Sequence, residues 1–244
     1  MKSRLTIFLL LFAWRAFADA NADFDTANKF YQQGNFAKAA GIYEQLVQSG
    51  ITSHALYFNL GNARLKSGSE GRAIAAFREA ERLAPREADL HANLQLARNQ
   101  ISDNATLRPT SLQRAFGQLT MNEWTKLAGI AVAALFVLLA LREWRAEFRR
   151  SLGGLTKLAA LASMILIVGA MAAWALDYSE PTAVVITKEA AVRAGPLDDA
   201  TTLFNAKDGV EFAVADTRDS WLQVRDGQRR IGWVKRDAVQ LVKP

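Results

Sequence analysis

The sequence predicts a multidomain chain: an all-α repeat solenoid, then a two-helix transmembrane hairpin, then a small all-β barrel. Three observations carry this. Residues 23–52 and 57–86 align at an offset of 34, with small and aromatic positions in register. Two apolar runs in the middle of the chain flank an arginine-rich stretch. From Pro181 onward, short β-branched runs alternate with turn signals.

The chain begins with Lys2 and Arg4, an apolar run from Ile7 to Trp14, and Ala16-Phe17-Ala18. That is the order of a secretory signal over 1–18, with cleavage expected before Asp19 or retention as an anchor. The run falls short of the about 20 residues that span a bilayer. With no cysteine in 244 residues, an exported domain here carries no disulfide and no thiol switch. The net charge of +6 is scattered, and its densest cluster lies between the apolar runs, so a membrane accounts for it better than nucleic acid does.

Residues 19–101 carry the repeat. Asp25 meets Asn59, Asn28 meets Asn62, Gly34 meets Gly68, Ala39 meets Ala73 and Tyr43 meets Phe77; one step on, Asn59 meets Asn93 and Leu60 meets Leu94. Gly61 and Ala73 are small where two helices are to cross, with Tyr57, Leu60, Ile74 and Phe77 filling the space around them. Gly68 supplies a positive φ after a helix, and Pro85 ends the next one. The first unit has Ile51 where that proline is expected, and Ala88–Ile101 reads as one amphipathic capping helix. This pattern resembles the tetratricopeptide (TPR) repeat, an antiparallel helix pair that stacks into a concave surface for another protein. A plain two-hairpin bundle is the alternative. First-helix positions would line the concave face, placing Asn28, Asn59, Asn62, Lys66 and Asn93 there. These side chains either pair with the backbone of an extended peptide or are solvated polar residues. Lys66 or Arg64 can meet a carboxylate.

Residues 102–122, with Pro109, lose the repeat and read as a linker. Asn104-Ala105-Thr106 fits a glycosylation triplet by coincidence. Spans are expected at 123–141 and 158–176, with Trp124, Trp144, Trp174 and Tyr178 at the interfaces. The intervening 142–157 carries Arg142, Arg145, Arg149, Arg150 and Lys157, which places it in the cytoplasm and both flanking domains outside. Trp144, Phe148 and Leu152 recur every four residues, as on a short amphipathic helix lying on the inner leaflet.

In 180–244 the expected strands are Val184–Thr187, Ala191–Arg193, Val210–Ala215, Trp221–Arg225 and Ile231–Val234. Turns are expected at Lys207-Asp208-Gly209 and Arg225-Asp226-Gly227. "AAVRAGP" at 190–196, "WLQV" at 221–224 and "GWV" at 232–234 resemble the bacterial SH3 domain, with Ala191 in place of its usual asparagine. That resemblance implies a barrel that binds cell-wall peptides or protein segments, or packs on a neighbour. Arg193 and Trp221 would then lie on its ligand surface. Trp221 and Trp233 form either an exposed aromatic platform or core, and Trp233 is expected in the core. The acidic, tyrosine-rich loop of polyproline-binding SH3 domains is absent, so PxxP recognition is not expected.

No catalytic motif is present: no HExxH, G-x-S-x-G elbow, Walker loop or dinucleotide fingerprint. His54 and His91 lack metal-ligand spacing. Asp198-Asp199 and Asp216/Asp219 sit in polar turns. The chain is expected to be no enzyme and to need no cofactor or metal. Repeats, two spans and a terminal SH3 domain in that order resemble the TPR–SH3 proteins of the aerotolerance (Bat) operon, the BatE-like family. "ANLQLAR" at 92–98 and "LTMNEW" at 119–124 also look like that family. The resemblance implies a non-catalytic inner-membrane scaffold of an envelope stress or aerotolerance complex. Its implied partners are von Willebrand factor A domain membrane proteins and a MoxR-type AAA+ ATPase. A cell-wall sensor that binds peptidoglycan peptides through the SH3-like domain is the alternative.

Overall fold

The computed structural model describes residues 20–101, 107, 110–177 and 181–242. The expected signal peptide at 1–18, the Asn104–Thr106 triplet, Pro109 and Tyr178 lie outside these residues. The chain folds into two compact units, one built from 1–107 with 181–243 and the other from 108–180.

The first unit begins with helices. Residues 20–32 form α1, followed by α2 (Phe36–Gln48), α3 (His54–Lys66), α4 (Glu70–Leu83) and α5 (Ala88–Asn99). Gly34 and Gly68 take φ of +77° and +73°, as their common offset predicts. At Gly68 the chain closes α3 with two backward bonds, Gly68 N–H to Leu65 O and Ser69 N–H to Arg64 O. Asn35 and Gly34 repeat that pattern after α1, a left-handed helix stop that an L side chain would strain. α2 stops without a proline, Ile51 N–H reaching back to Leu46 O. α4 ends at Leu83, ahead of Pro85. A Cβ on Gly61 would lie 2.5 Å from the Phe77 ring, so the small residue does permit the close crossing of α3 and α4.

The C-terminal part of this unit is an antiparallel sheet. Its strands are β1 (Thr182–Val185), β2 (Glu189–Arg193), β3 (Thr202–Lys207), β4 (Glu211–Arg218), β5 (Trp221–Arg225), β6 (Ile231–Lys235) and β7 (Val239–Val242), in the order β3-β2-β6-β5-β4-β1-β7. Phe212, Val192, Leu222, Val224 and Val234 fill its core. Two strands, β3 and β7, were not expected. In β3 only Ala206 is buried, so this edge strand lacks an apolar alternation to betray it. β7 is four residues long and follows a single 3-10 turn, Arg236–Ala238. The first expected strand also ends early, at Val185, and leaves Thr187 outside. The turn at Lys207–Gly209 is present with Gly209 at φ +86°. At the second turn the buried Asp226 carboxylate accepts from the backbone of Gln228 and Arg230.

These two parts share one core. Ala73, Ile74, Phe77, Leu90, Leu94 and Ala97 of the helices pack with Val184 and Val242 of the sheet, and α4 lies against β1 and β7.

The second unit comprises α6 (Ser111–Phe116), α7 (Met121–Trp144), α8 (Ala146–Ser151) and α9 (Gly153–Asp177). Capping boxes start α6 at Thr110 with Gln113 and α7 at Thr120 with Glu123. α7 and α9 are long and apolar enough to cross a membrane. Twenty-four residues of helix extend about 36 Å, against about 30 Å of hydrocarbon. They pack on each other, with Gly169 beneath Trp124: a Cβ there would be 2.7 Å from the indole. The stretch 142–157 is largely helical rather than an open loop, the helices being interrupted only at Arg145 and Leu152. Arg145 leaves helical geometry at φ −134°, ψ 129°.

Candidate functional site

Two surfaces of the first unit gather the residues singled out above. On the helices, the asparagines bond to one another. Asn59 Nδ2 donates to Asn28 Oδ1 at 3.1 Å, and Asn93 Nδ2 donates to Asn62 Oδ1 at 2.8 Å. Tyr43 O–H also donates to Asn28 Oδ1, at 2.5 Å. Burial pushes the Tyr43 hydroxyl up to about 12, with its hydrogen bond to Asn59 acting in the opposite direction, so it is a permanent donor. The first helices are thus tied in two pairs, Asn28–Asn59 between α1 and α3 and Asn62–Asn93 between α3 and α5. A primary amide carries two donors and an acceptor with two lone pairs. One cross-helix bond therefore fixes each carboxamide without exhausting it. Lys66 stands exposed in the last turn of α3. Arg64 is drawn instead to Glu44 on α2, an intramolecular ion pair.

On the sheet, Arg193 and Trp221 line one pocket of about 320 Å³, together with Glu189, Asp198, Lys235 and Asp237. Trp221 is not an exposed platform. Only 7% of it is accessible, because it sits in the sheet with the Lys235 ammonium 5.5 Å from its ring centroid. Trp233 is likewise buried, beneath Arg218. Lys235 Nζ pairs with Asp198 at 2.5 Å across the pocket, and Arg193 Nη1 donates to Ala200 O at 2.8 Å. The pocket therefore offers an aromatic wall with charges of both signs, suited to a small zwitterionic or peptide ligand. Lys235, directly after the "GWV" run, escaped sequence reasoning, and Asp198 was read only as a residue of a polar turn. The clue available was a lysine at the end of a core strand, where its side chain meets solvent.

A third cluster was missed altogether. Glu211 opens β4 with its side chain fully buried. It accepts from Arg78 Nε of α4 at 2.7 Å and from Arg98 of α5 at 3.0–3.2 Å. Arg78 in turn pairs with Glu81 at 3.0 Å. Burial acts to lower Arg78, but the Glu211 and Glu81 carboxylates outweigh it and hold its pKa above the ordinary arginine value. Among the described residues, no group of three His, Cys, Asp or Glu side chains is placed to hold a metal ion. Each histidine has a local role: His54 stacks on Phe58, and His91 Nε2 lies 2.8 Å from Pro85 O.

Residues 187–240 match the family described as Bacterial SH3 domain. This segment covers β2 through β6 and leaves out β1 and the second half of β7. No curated protein matches the chain.

Proposed function

We propose that the chain is a non-catalytic scaffold of a bacterial inner membrane, whose helical hairpins are TPR repeats that hold a protein partner in an envelope stress or aerotolerance complex. The observation that carries this is the bonded asparagine row. Asn28, Asn59, Asn62 and Asn93 are tied in two pairs across successive first helices, which fixes their amides in place for an extended chain. Von Willebrand factor A domain membrane proteins and a MoxR-type AAA+ ATPase are the partners that the module order favours. In-cell crosslinking from the groove tests the reading. Changing Asn59, Asn62 and Asn93 together to Ala should abolish the crosslinks, and their full retention would refute the groove.

The shared core supports placing both lobes on one side of the membrane. Val184 and Val242 cannot pack with Leu90 and Leu94 unless α7 and α9 return the chain to the side it left. The arginines of 142–157 then favour the cytoplasm for the turn and the periplasm for the lobes. Alkaline phosphatase fused after Ser179 should be active and after Ser151 inactive; the reverse pattern would invert the topology.

A second reading has its own observation, the mixed-charge pocket at Trp221. A bacterial SH3 domain with such a pocket is suited to peptidoglycan stem peptides, which carry ammonium and carboxylate groups together. Retention of the full chain on isolated sacculi, lost in Lys235→Glu, would favour it.

A further inference from the structure

The SH3 domain does not hang from the chain as a free module. Its β1, which lies outside the segment that matches the family, and β7, half of which does, pack against α4. Three features mark this contact as built. Gly71 on α4 approaches so closely that a Cβ would strike the Val185 carbonyl and the Asp208 carboxylate. Gly209, at φ +86°, is covered by the side-chain ends of Ile101 and Ile74. Between them Glu211 is buried with its carboxylate shared by Arg78 and Arg98, two helices and more than a hundred residues away in sequence. A carboxylate with no access to water is tolerated only where cations and hydrogen-bond donors replace its solvation. Glu81 pairs with Arg78 on its other side, so the charges alternate: Glu81, Arg78, Glu211, Arg98.

We infer that the helices and the SH3 domain form a single receptor body, and that Glu211 is the positioning residue that sets the domain on the back of α4 and α5. The residues lining the charged pocket all belong to the sheet part, and the asparagine row lies on α1, α3 and α5. Both ligand surfaces therefore stay open while the contact fixes the distance between them. One partner that reaches both gains the effective concentration of a rigid bivalent site. The inference does not depend on which ligand either surface takes.

The test uses the full chain in detergent micelles. Since the sequence has no cysteine, Gln95→Cys and Thr201→Cys place spin labels on two exposed positions, one on α5 and one beside β3. The expected result is one narrow interlabel distance distribution. In Glu211→Arg, and in the isosteric Glu211→Gln, the narrow peak should be lost or broadened while the near-ultraviolet signal of the buried tryptophans persists. A broad distribution in the parent chain would overturn the single body. Narrow distributions in both variants, or broadening only with loss of the tryptophan signal, would overturn the role of Glu211.

Discussion

Helices α4 and α7 obey opposite rules. α4 is fourteen residues with small and apolar side chains on the buried face and arginines and glutamates paired around it. α7 is twenty-four residues, apolar on every side, and none of its residues is buried within the protein. In α4 water drives the packing, so burial singles out one face. In the membrane proposed for α7 the surroundings would themselves be apolar, and a helix there needs only its internal backbone bonds and compatible side chains. The same residue type should therefore carry different energies in the two places.

The largest expected contrast is between two phenylalanines. Phe77 is fully buried against Gly61, Phe58 and the shared core, whereas Phe136 on α7 is 65% exposed. Phe77→Ala should cost about 3–5 kcal/mol by transfer and cavity terms. On the proposed membrane reading, Phe136→Ala should change stability by less than about 1 kcal/mol, since lipid contacts would replace lipid contacts. Thermal unfolding of the full chain in micelles, followed by circular dichroism, distinguishes them. Equal losses would break the comparison.

Charge sharpens it next. Glu211→Leu leaves Arg78 and Arg98 facing an apolar wall and should cost about 3 kcal/mol. Replacing all three by apolar residues of similar size should recover most of that loss. Val137→Arg introduces a charge on the outward side of α7, where 58% of Val137 is exposed. It should oppose insertion by about 2.5–3.5 kcal/mol, read as the fraction extracted from membranes by alkaline carbonate. The same arginine at Gln95, exposed on α5, should move stability by no more than about 0.5 kcal/mol.

The asparagine row offers a smaller test. Asn28→Ala removes the acceptor of both Tyr43 and Asn59. An unmade hydrogen bond in a half-buried setting costs about 1 kcal/mol, and Tyr43→Phe together with Asn28→Ala should cost less than the two separately. A double-mutant cycle by urea unfolding reads the coupling directly.

How much of this was legible depends on the range of the interaction. The period of 34 put Gly34, Gly68, Gly61 and Phe77 where the structure has them, because each answers to a backbone or a neighbour within one hairpin. The apolar runs gave α7 and α9 for a similar reason: twenty residues of one character need no partner to be read. The period also aligned Asn28 with Asn62, yet the bonds run from Asn28 to Asn59 and from Asn62 to Asn93. Neighbouring first helices meet one turn out of step, so bonded residues stand 31 apart, three short of the repeat. The contact of the helices with the sheet was invisible, because its residues lie 113 and 133 positions apart. One local trace of it exists. Along the start of β4, Val210 just before it and Phe212 and Val214 within it face the core of the sheet, yet Glu211 and Ala213 between them are buried too. A strand buried on both faces, with a glutamate on the second, announces cations arriving from elsewhere in the chain.

The smallest effect concerns Asp208, which meets the first turn of α4. Burial raises its carboxyl above the ordinary aspartate value, while the backbone N–H groups of Gly71 and Gly209 pull it partly back. The native state therefore binds this proton more readily than the unfolded chain does. Its contribution is fully present below the unfolded pKa and is lost as pH rises through the elevated native one. At neutral pH the ionised Asp208 is thus a small cost, partly offset because its charge lies at the positive end of α4. Asp208→Asn keeps the shape of the side chain and removes the titration. Relative to that variant, the parent chain should gain stability as the pH falls from 7 towards the ordinary carboxylate range, measured by urea unfolding at each pH. A difference that grows in the opposite direction would mean that the N–H groups outweigh burial, making Asp208 a stabilising anion at the helix terminus.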